Sequence, residues 1–129
     1  AYGIVHVVTS PWERCLATVR PYATAARVKA EKRDELTEAA HSKDARPVRS
    51  LVEEELSGAS RAVAICTHRP VLPTVIEQLT VHTQNKFLRK LPFQDPWLRT
   101  GEVIVAHMTH HARRGAVVVA LEKHRPLSI

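Results

Sequence analysis

A chain of 129 residues with 44% hydrophobic residues is long enough for one compact domain with its own core, which excludes a disordered polypeptide. Its formal net charge of +6 favours polyanionic partners such as nucleotides and phosphorylated metabolites. No apolar run reaches the roughly 18 residues of a membrane span and the first residues lack a signal-peptide pattern, so we expect a cytoplasmic protein.

The first half of the chain alternates apolar strands with amphipathic helices. Its patterns predict a strand over residues 4–9, a helix over 12–26, a strand over 27–32 and a helix over 46–57. Pro21 lies inside the first helical pattern, so this helix is expected to kink or end there. Residues 34–43 are polar and follow neither period, which predicts a surface loop.

The second half opens with an uninterrupted apolar run over residues 61–67, typical of a parallel strand buried on both faces. A helix over 71–79 follows, and then a mixed, basic stretch with a short helix around 86–91. Strands over 102–108 and 116–122 flank Gly115 at a spacing that predicts a hairpin. This order predicts an α/β domain whose mostly parallel sheet has an antiparallel edge.

Two strand ends have the character of phosphate pockets. The first strand stops at Ser10-Pro11 with Arg14 in the next helical turn, and the strand over 61–67 runs into Cys66-Thr67-His68 before another helix. A helix that begins at a strand end presents unpaired backbone N–H groups and a positive dipole, and both favour an anion. Since an arginine stands at one end and a histidine at the other, phosphate is the predicted anion.

The pattern Ser10-Pro11-x-x-Arg14-x-x-x-Thr18 and the segment Cys66-Thr67-His68 resemble two signatures of the histidine phosphatase superfamily. This phosphoglycerate mutase-like resemblance implies a three-layer α/β/α sandwich in which Arg14 grips the phosphate and His68 binds the phosphoryl group. Arg69 replaces the glycine that usually follows the histidine. Ser10 and Arg69 are therefore further expected phosphate-binding residues in a tighter, more basic pocket.

The same resemblance places an acidic residue in the loop after the second strand. Glu38 is the expected catalytic acid that protonates the leaving group, and Glu35 is the second choice. The catalytic residues expected of this chain are thus His68 and Glu38.

The family's Arg-His-Gly motif, which supplies the nucleophilic histidine, occurs nowhere in the sequence. The resemblance then implies that the first strand is missing, and that the chain is a partial domain, inactive alone, from the C-terminal portion of a longer two-domain protein. We expect another segment, most simply the N-terminal part of the same product, to fill a gap between the strands at 4–9 and 61–67.

Segments such as Ser10-Pro11-Trp12-Glu13-Arg14 and the C-terminal hairpin look most like the C-terminal domains of actinobacterial MutT-type proteins, which follow a Nudix hydrolase domain. This similarity implies a parent enzyme that acts on 8-oxo-guanine nucleotides and dinucleoside polyphosphates. No cofactor is expected for this domain, whereas the Nudix domain would use Mg²⁺. The alternative is a non-catalytic module that binds a nucleotide or the partner domain, and nucleic acid is not the expected partner.

Other features have simpler interpretations. The hairpin histidines His107, His110 and His111 predict no metal site, because adjacent ones point to opposite faces and no acidic partner is near in sequence. A basic set, Lys86, Arg89 and Lys90, predicts an exposed helical face. The tryptophans Trp12 and Trp97 are expected to anchor a core or interface, and Cys15 and Cys66 are expected to be buried, reduced thiols.

Overall fold

A computed structural model describes residues 3–58, 62–92, 97–98 and 102–124, and for His111 only the backbone. The strands and helices are β1 His6–Thr9, α1 Glu13–Ala26, β2 Ala30–Lys32, α2 Glu38–Lys43, α3 Arg46–Ser57, β3 Val63–Cys66, α4 Leu72–Val81, β4 Val103–His111 and β5 Gly115–His124. Short 3₁₀ helices cover Asp34–Leu36, Arg69–Val71 and Asn85–Lys90.

The first three strands form a parallel sheet in the order β2-β1-β3. Thr9 at the end of β1 is in register with Lys32 on one side and with Cys66 on the other. Parallel strands need crossover connections, which α1 supplies before β2, and α2 and α3 supply before β3. All three strands therefore end at the same edge of the sheet.

The expected gap between the strands at 4–9 and 61–67 is wrong, because β1 and β3 are hydrogen-bonded partners over their full length. Among the described residues β3 has a paired strand on one side only, and all four of its residues are half-buried. It is thus an edge strand and is not buried on both faces. An apolar run predicts a strand, but it does not say which strands will lie beside it.

Helices pack on both faces of the parallel sheet. Successive strand residues point to opposite faces, so Val7 and Val8 are both buried but in different layers. Val8 packs in a cluster with α3, the Asp34–Leu36 turn and the start of α4; its members are Val8, Leu36, Val48, Leu51, Val52 and Val71. On the other face α1 contacts β1 and buries Cys15, Leu16, Val19 and Ala23.

The hairpin is confirmed, but it forms its own sheet. Strands β4 and β5 pair antiparallel, and Gly115 has the positive φ of 72° that the turn into β5 requires. The described strands do not continue the parallel sheet into this hairpin, so the expected antiparallel edge of a single sheet is not observed. The hairpin has its own core around Ile76, Leu91, Val118 and Leu121. In the part of the chain that the structure describes, the fold is mixed α/β with a three-stranded parallel sheet and a two-stranded antiparallel sheet.

The expected end of the first helix at Pro21 and the loop predicted over residues 34–43 are not observed. Helix α1 passes Pro21 and ends at Ala26, because buried Val19 and Ala23 hold it on the sheet on both sides of the proline. A proline removes one backbone hydrogen bond, a loss that tertiary packing overrides here.

The segment 34–43, predicted as a loop, is a 3₁₀ turn followed by α2. Buried Leu36 anchors the turn, and Thr37 caps the helix by accepting a hydrogen bond from the Ala40 N–H at 3.1 Å. The remaining helices lie close to their predicted positions. None of the helices in the described ranges has the length and apolarity needed to cross a membrane.

Candidate functional site

A cleft of about 320 Å³ opens where β1 and β3 end. Its lining residues are Trp12, Glu13, Arg14, Glu38 and His68. They come from the start of α1, the start of α2 and the segment after β3. The structure thus brings together Arg14, Glu38 and His68, three of the residues that the sequence singled out.

The strand ends are tied together beneath this cleft. The Ser10 N–H donates to the Cys66 carbonyl at 3.0 Å, which extends the pairing of β1 with β3 by one residue. The Ser10 hydroxyl shares a hydrogen bond of 2.8 Å with Nε2 of His68 and accepts a bond of 3.3 Å from the Trp12 N–H. Ser10 therefore fixes the position of His68 relative to the start of α1.

The imidazole of His68 is held in a compact environment. Its ring lies 4.8 Å from the indole of Trp12, and the Cys15 Sγ is 3.8 Å from its Nε2. Burial lowers the pKa of His68; the carboxylate of Glu38 opposes this effect and Arg14 adds to it, and the net direction is downward. His68 is therefore a neutral imidazole at neutral pH.

Arg14 is exposed in the first turn of α1, so its guanidinium is available to a ligand in the cleft. The neighbouring Glu13 brings a negative charge to the same rim. Arg20, nearly two turns further along α1, donates to the Glu13 carboxylate at 3.2 Å. This ion pair offsets part of the repulsion that Glu13 would exert on an anion, although both side chains are exposed and the effect is small.

The structure distinguishes Glu38 from Glu35. Glu38 is the first residue of α2, is exposed and lines the cleft. Arg33 holds Glu35 through two hydrogen bonds, of 2.9 and 3.2 Å. Burial acts to raise the pKa of Glu35, but these bonds, a backbone hydrogen bond and the charge of Arg33 together outweigh it, and the pKa falls below its ordinary value. A carboxyl held ionised in this way is a poor proton donor, so Glu38 is the better placed acid.

The remaining two expected phosphate ligands lie outside the cleft. Ser10 is fully buried and its hydroxyl already bonds His68 and the Trp12 N–H, so a direct phosphate contact by Ser10 is disfavoured. Arg69 begins the 3₁₀ helix after His68, is exposed, and is not among the residues that line the cleft.

The predictions for the two cysteines and the two tryptophans are confirmed in part. The thiols are free as expected; Cys15 is buried and Cys66 half-buried. A hydrogen bond between them lowers the pKa of Cys15 and, together with burial, raises that of Cys66.

Trp12 is not a core residue, since it is exposed and lines the cleft, whereas Trp97 packs in the hairpin core.

The hairpin histidines do have an acidic neighbour, contrary to the sequence argument. Glu122 on β5 contacts His107 across the hairpin, because antiparallel pairing brings distant residues together, and it also contacts His124 on its own strand. His110 bonds instead to the Leu56 carbonyl at 3.0 Å, and the side chain of His111 is outside the described atoms.

The expected exposed basic face is observed. Lys86, Arg89 and Lys90 are exposed on a 3₁₀ helix, and both lysines lie over the ring of Phe87.

Sequence reasoning missed a second cluster at the opposite end of β1. His6 Nε2 lies 3.4 Å from a carboxylate oxygen of Glu31 and 3.4 Å from one of Glu55. These residues are about 25 positions apart along the chain, so no local motif joins them. The one available signal is a histidine within an apolar strand, where a polar side chain needs partners.

Comparison of the sequence with models of known protein families found no match, and comparison with curated proteins found none either.

Proposed function

We propose that this chain is the phosphate-binding portion of a phosphohydrolase, related to the histidine phosphatases that its two motifs resemble. The observation that carries the proposal is the convergence of Arg14, Glu38 and His68 on one cleft at the carboxyl ends of adjacent parallel strands. Ligands of open α/β sheets usually bind at this edge.

Each of the three residues has a distinct role in the proposal. Arg14 binds the phosphoryl oxygens, since a guanidinium offers two parallel charge-assisted hydrogen bonds. Glu38, at the start of α2, lines the same cleft and donates a proton to the leaving oxygen. His68 is neutral and has Nε2 engaged by Ser10, so it would meet the phosphoryl group through Nδ1, as a hydrogen-bond donor that is already in place.

The sequence lacks an Arg-His-Gly segment, so the proposed nucleophile comes from another polypeptide segment. The side of β3 that has no paired strand among the described residues is the position at which such a strand would reach the cleft, because β1 occupies the other side. The parent enzyme would be a cytoplasmic, MutT-type hydrolase of 8-oxo-guanine nucleotides and dinucleoside polyphosphates, with Mg²⁺ bound by a Nudix domain. This part of the proposal depends on the resemblance alone.

The alternative function is a non-catalytic module that binds a nucleotide or a partner domain. The absence of a histidine nucleophile motif favours it, while Arg14 in the cleft serves both functions equally well. The two proposals agree on binding and differ in whether phosphate is ever released.

The first test is phosphate and GMP binding, measured by calorimetry and by shifts of the histidine ring resonances in NMR spectra. Arg14→Ala is expected to weaken binding by about 1.5–3 kcal/mol, the range for a hydrogen bond to a charged group, or about 10- to 150-fold. The matched control is Arg113→Ala in the exposed hairpin turn, which removes the same charge far from the cleft.

Equal losses of affinity in Arg14→Ala and Arg113→Ala would show that net charge, and not the cleft, attracts the anion.

Hydrolysis of a phosphomonoester is expected only after a histidine-bearing N-terminal segment is supplied. Glu38→Gln should then lower the rate without weakening binding. Binding without hydrolysis in the complemented protein would favour the non-catalytic module.

A further inference from the structure

Three metal-binding side chains meet at the amino-terminal end of β1. His6 comes from β1, Glu31 from β2 and Glu55 from α3. One ligand atom from each lies within 4.8 Å of the other two. Because Glu31 is adjacent to Val8 in register, and Val8 packs against α3, the three side chains share the α3 face of the sheet.

The distances correspond to ligands around a small metal ion. Both contacts of His6 Nε2 measure 3.4 Å, which is longer than an ordinary N–H···O hydrogen bond. In a tetrahedral zinc site, metal–ligand bonds of about 2.1 Å separate neighbouring ligand atoms by about 3.4 Å. His6 thus has the same separation from both carboxylate oxygens that it would have with Zn²⁺ between them.

The charges of the three side chains also favour a divalent cation. Two carboxylates within 4.8 Å repel each other, and a divalent cation with two carboxylates and a neutral imidazole forms a neutral set. An imidazole ligand favours Zn²⁺ and its neighbours over Mg²⁺ or Ca²⁺, which prefer oxygen alone. Arg33 lies 3.9 Å from the other oxygen of Glu31, so one oxygen of that carboxylate remains for the metal.

The surroundings combine rigidity with access. The side chains of His6 and Glu55 are 20% and 11% exposed, and that of Glu31 is 47% exposed. Two ligands are thus held on packed elements, while the third faces water and leaves an entry path.

We propose that His6, Glu31 and Glu55 bind one Zn²⁺ ion, with water as the fourth ligand. The site ties α3 to the sheet at the end opposite the cleft of Arg14 and His68. It does not depend on the proposed phosphohydrolase function.

The test uses the 129-residue chain without a polyhistidine tag, after removal of bound metal by a chelator. Zn²⁺ titration by calorimetry should show one ion per chain, and Co²⁺ should give the visible absorption bands of a four-coordinate site. In NMR spectra the ring resonances of His6 should shift. His6→Ala should lower the Zn²⁺ affinity at least tenfold, and so should the isosteric change Glu31→Gln.

The matched control is His107→Ala, since His107 also contacts a glutamate but on the exposed hairpin. It should leave the Zn²⁺ affinity unchanged. Glu31→Gln alters an exposed side chain, so it decides the question if His6→Ala does not fold. Unchanged affinity in a folded Glu31→Gln variant, or Zn²⁺-induced shifts at His107 and His124 but not at His6, would overturn the proposal.

Discussion

Replacing Ser10 with alanine tests whether the Ser10 hydroxyl supports the cleft from beneath or binds phosphate directly. The Ser10 hydroxyl is fully buried and makes two hydrogen bonds, to His68 Nε2 at 2.8 Å and from the Trp12 N–H at 3.3 Å. In Ser10→Ala both are lost, and Nε2 retains only the Cys15 thiol at 3.8 Å, a weak partner. A buried polar group left without its partner costs about 1–3 kcal/mol.

Urea unfolding followed by circular dichroism measures this cost. With a slope of about 1.5 kcal/mol per molar urea, the midpoint should fall by about 0.7–2 M. The matched control is Ser42→Ala on α2, because Ser42 is exposed and its hydroxyl bonds only to the nearby Ala39 carbonyl. That change should alter the unfolding free energy by less than about 0.5 kcal/mol.

Phosphate affinity provides the second measurement. Because Ser10 lies beneath the cleft, Ser10→Ala should weaken phosphate binding less than Arg14→Ala does. The opposite result, a tenfold or greater loss of affinity with unchanged stability, would show that Ser10 contacts the ligand directly and that the buried arrangement is wrong.

Two further predictions concern the elements around the site. Thr37→Ala removes the N-cap of α2 and should cost about 0.5–2 kcal/mol of unfolding free energy, with larger NMR shift changes at Glu38 than in β1. His82 bonds to the Glu53 carboxylate at 2.5 Å and to the Ala116 carbonyl at 2.8 Å. Burial acts to lower the pKa of His82, but these bonds and the charge of Glu53 together raise it above its ordinary value. The stability that His82 contributes should therefore be full below the ordinary histidine pKa of about 6.5 and be lost as the pH rises through the folded-state pKa. The difference in unfolding free energy between wild type and His82→Gln should shrink as the pH rises above about 6.5, and a constant difference would contradict the charged pair.

The sequence predicted helices well where the apolar residues repeat at helical spacing over several turns. Helix α3 has its predicted bounds because Val48, Leu51 and Val52 repeat at helical spacing and are buried. Helix α2 was missed since its six residues are too few to show a period and none of them is buried. Its signal was local and lay in the capping threonine before it.

Strand order was harder to predict than strand position. The apolar runs that became β1 and β3 were both recognised, yet their direct pairing was not expected. The paired residues are nearly 60 positions apart in the sequence, and the composition of a strand does not determine which strand it pairs with. The same limit explains the cluster of His6, Glu31 and Glu55, which forms only when two strands and a helix come together.

At the cleft, the sequence identified the edge of the sheet more reliably than it identified individual contacts. A residue that follows a parallel strand must lie near the carboxyl edge, and Arg14 and His68 were found by that rule. The sequence did not show which of these residues line the cleft: Ser10 is fully buried, and Arg69 is not among the lining residues. The bond between Ser10 and His68 shows the consequence: the buried serine holds β1 to the segment after β3, and this link keeps the exposed arginine and the histidine on one cleft.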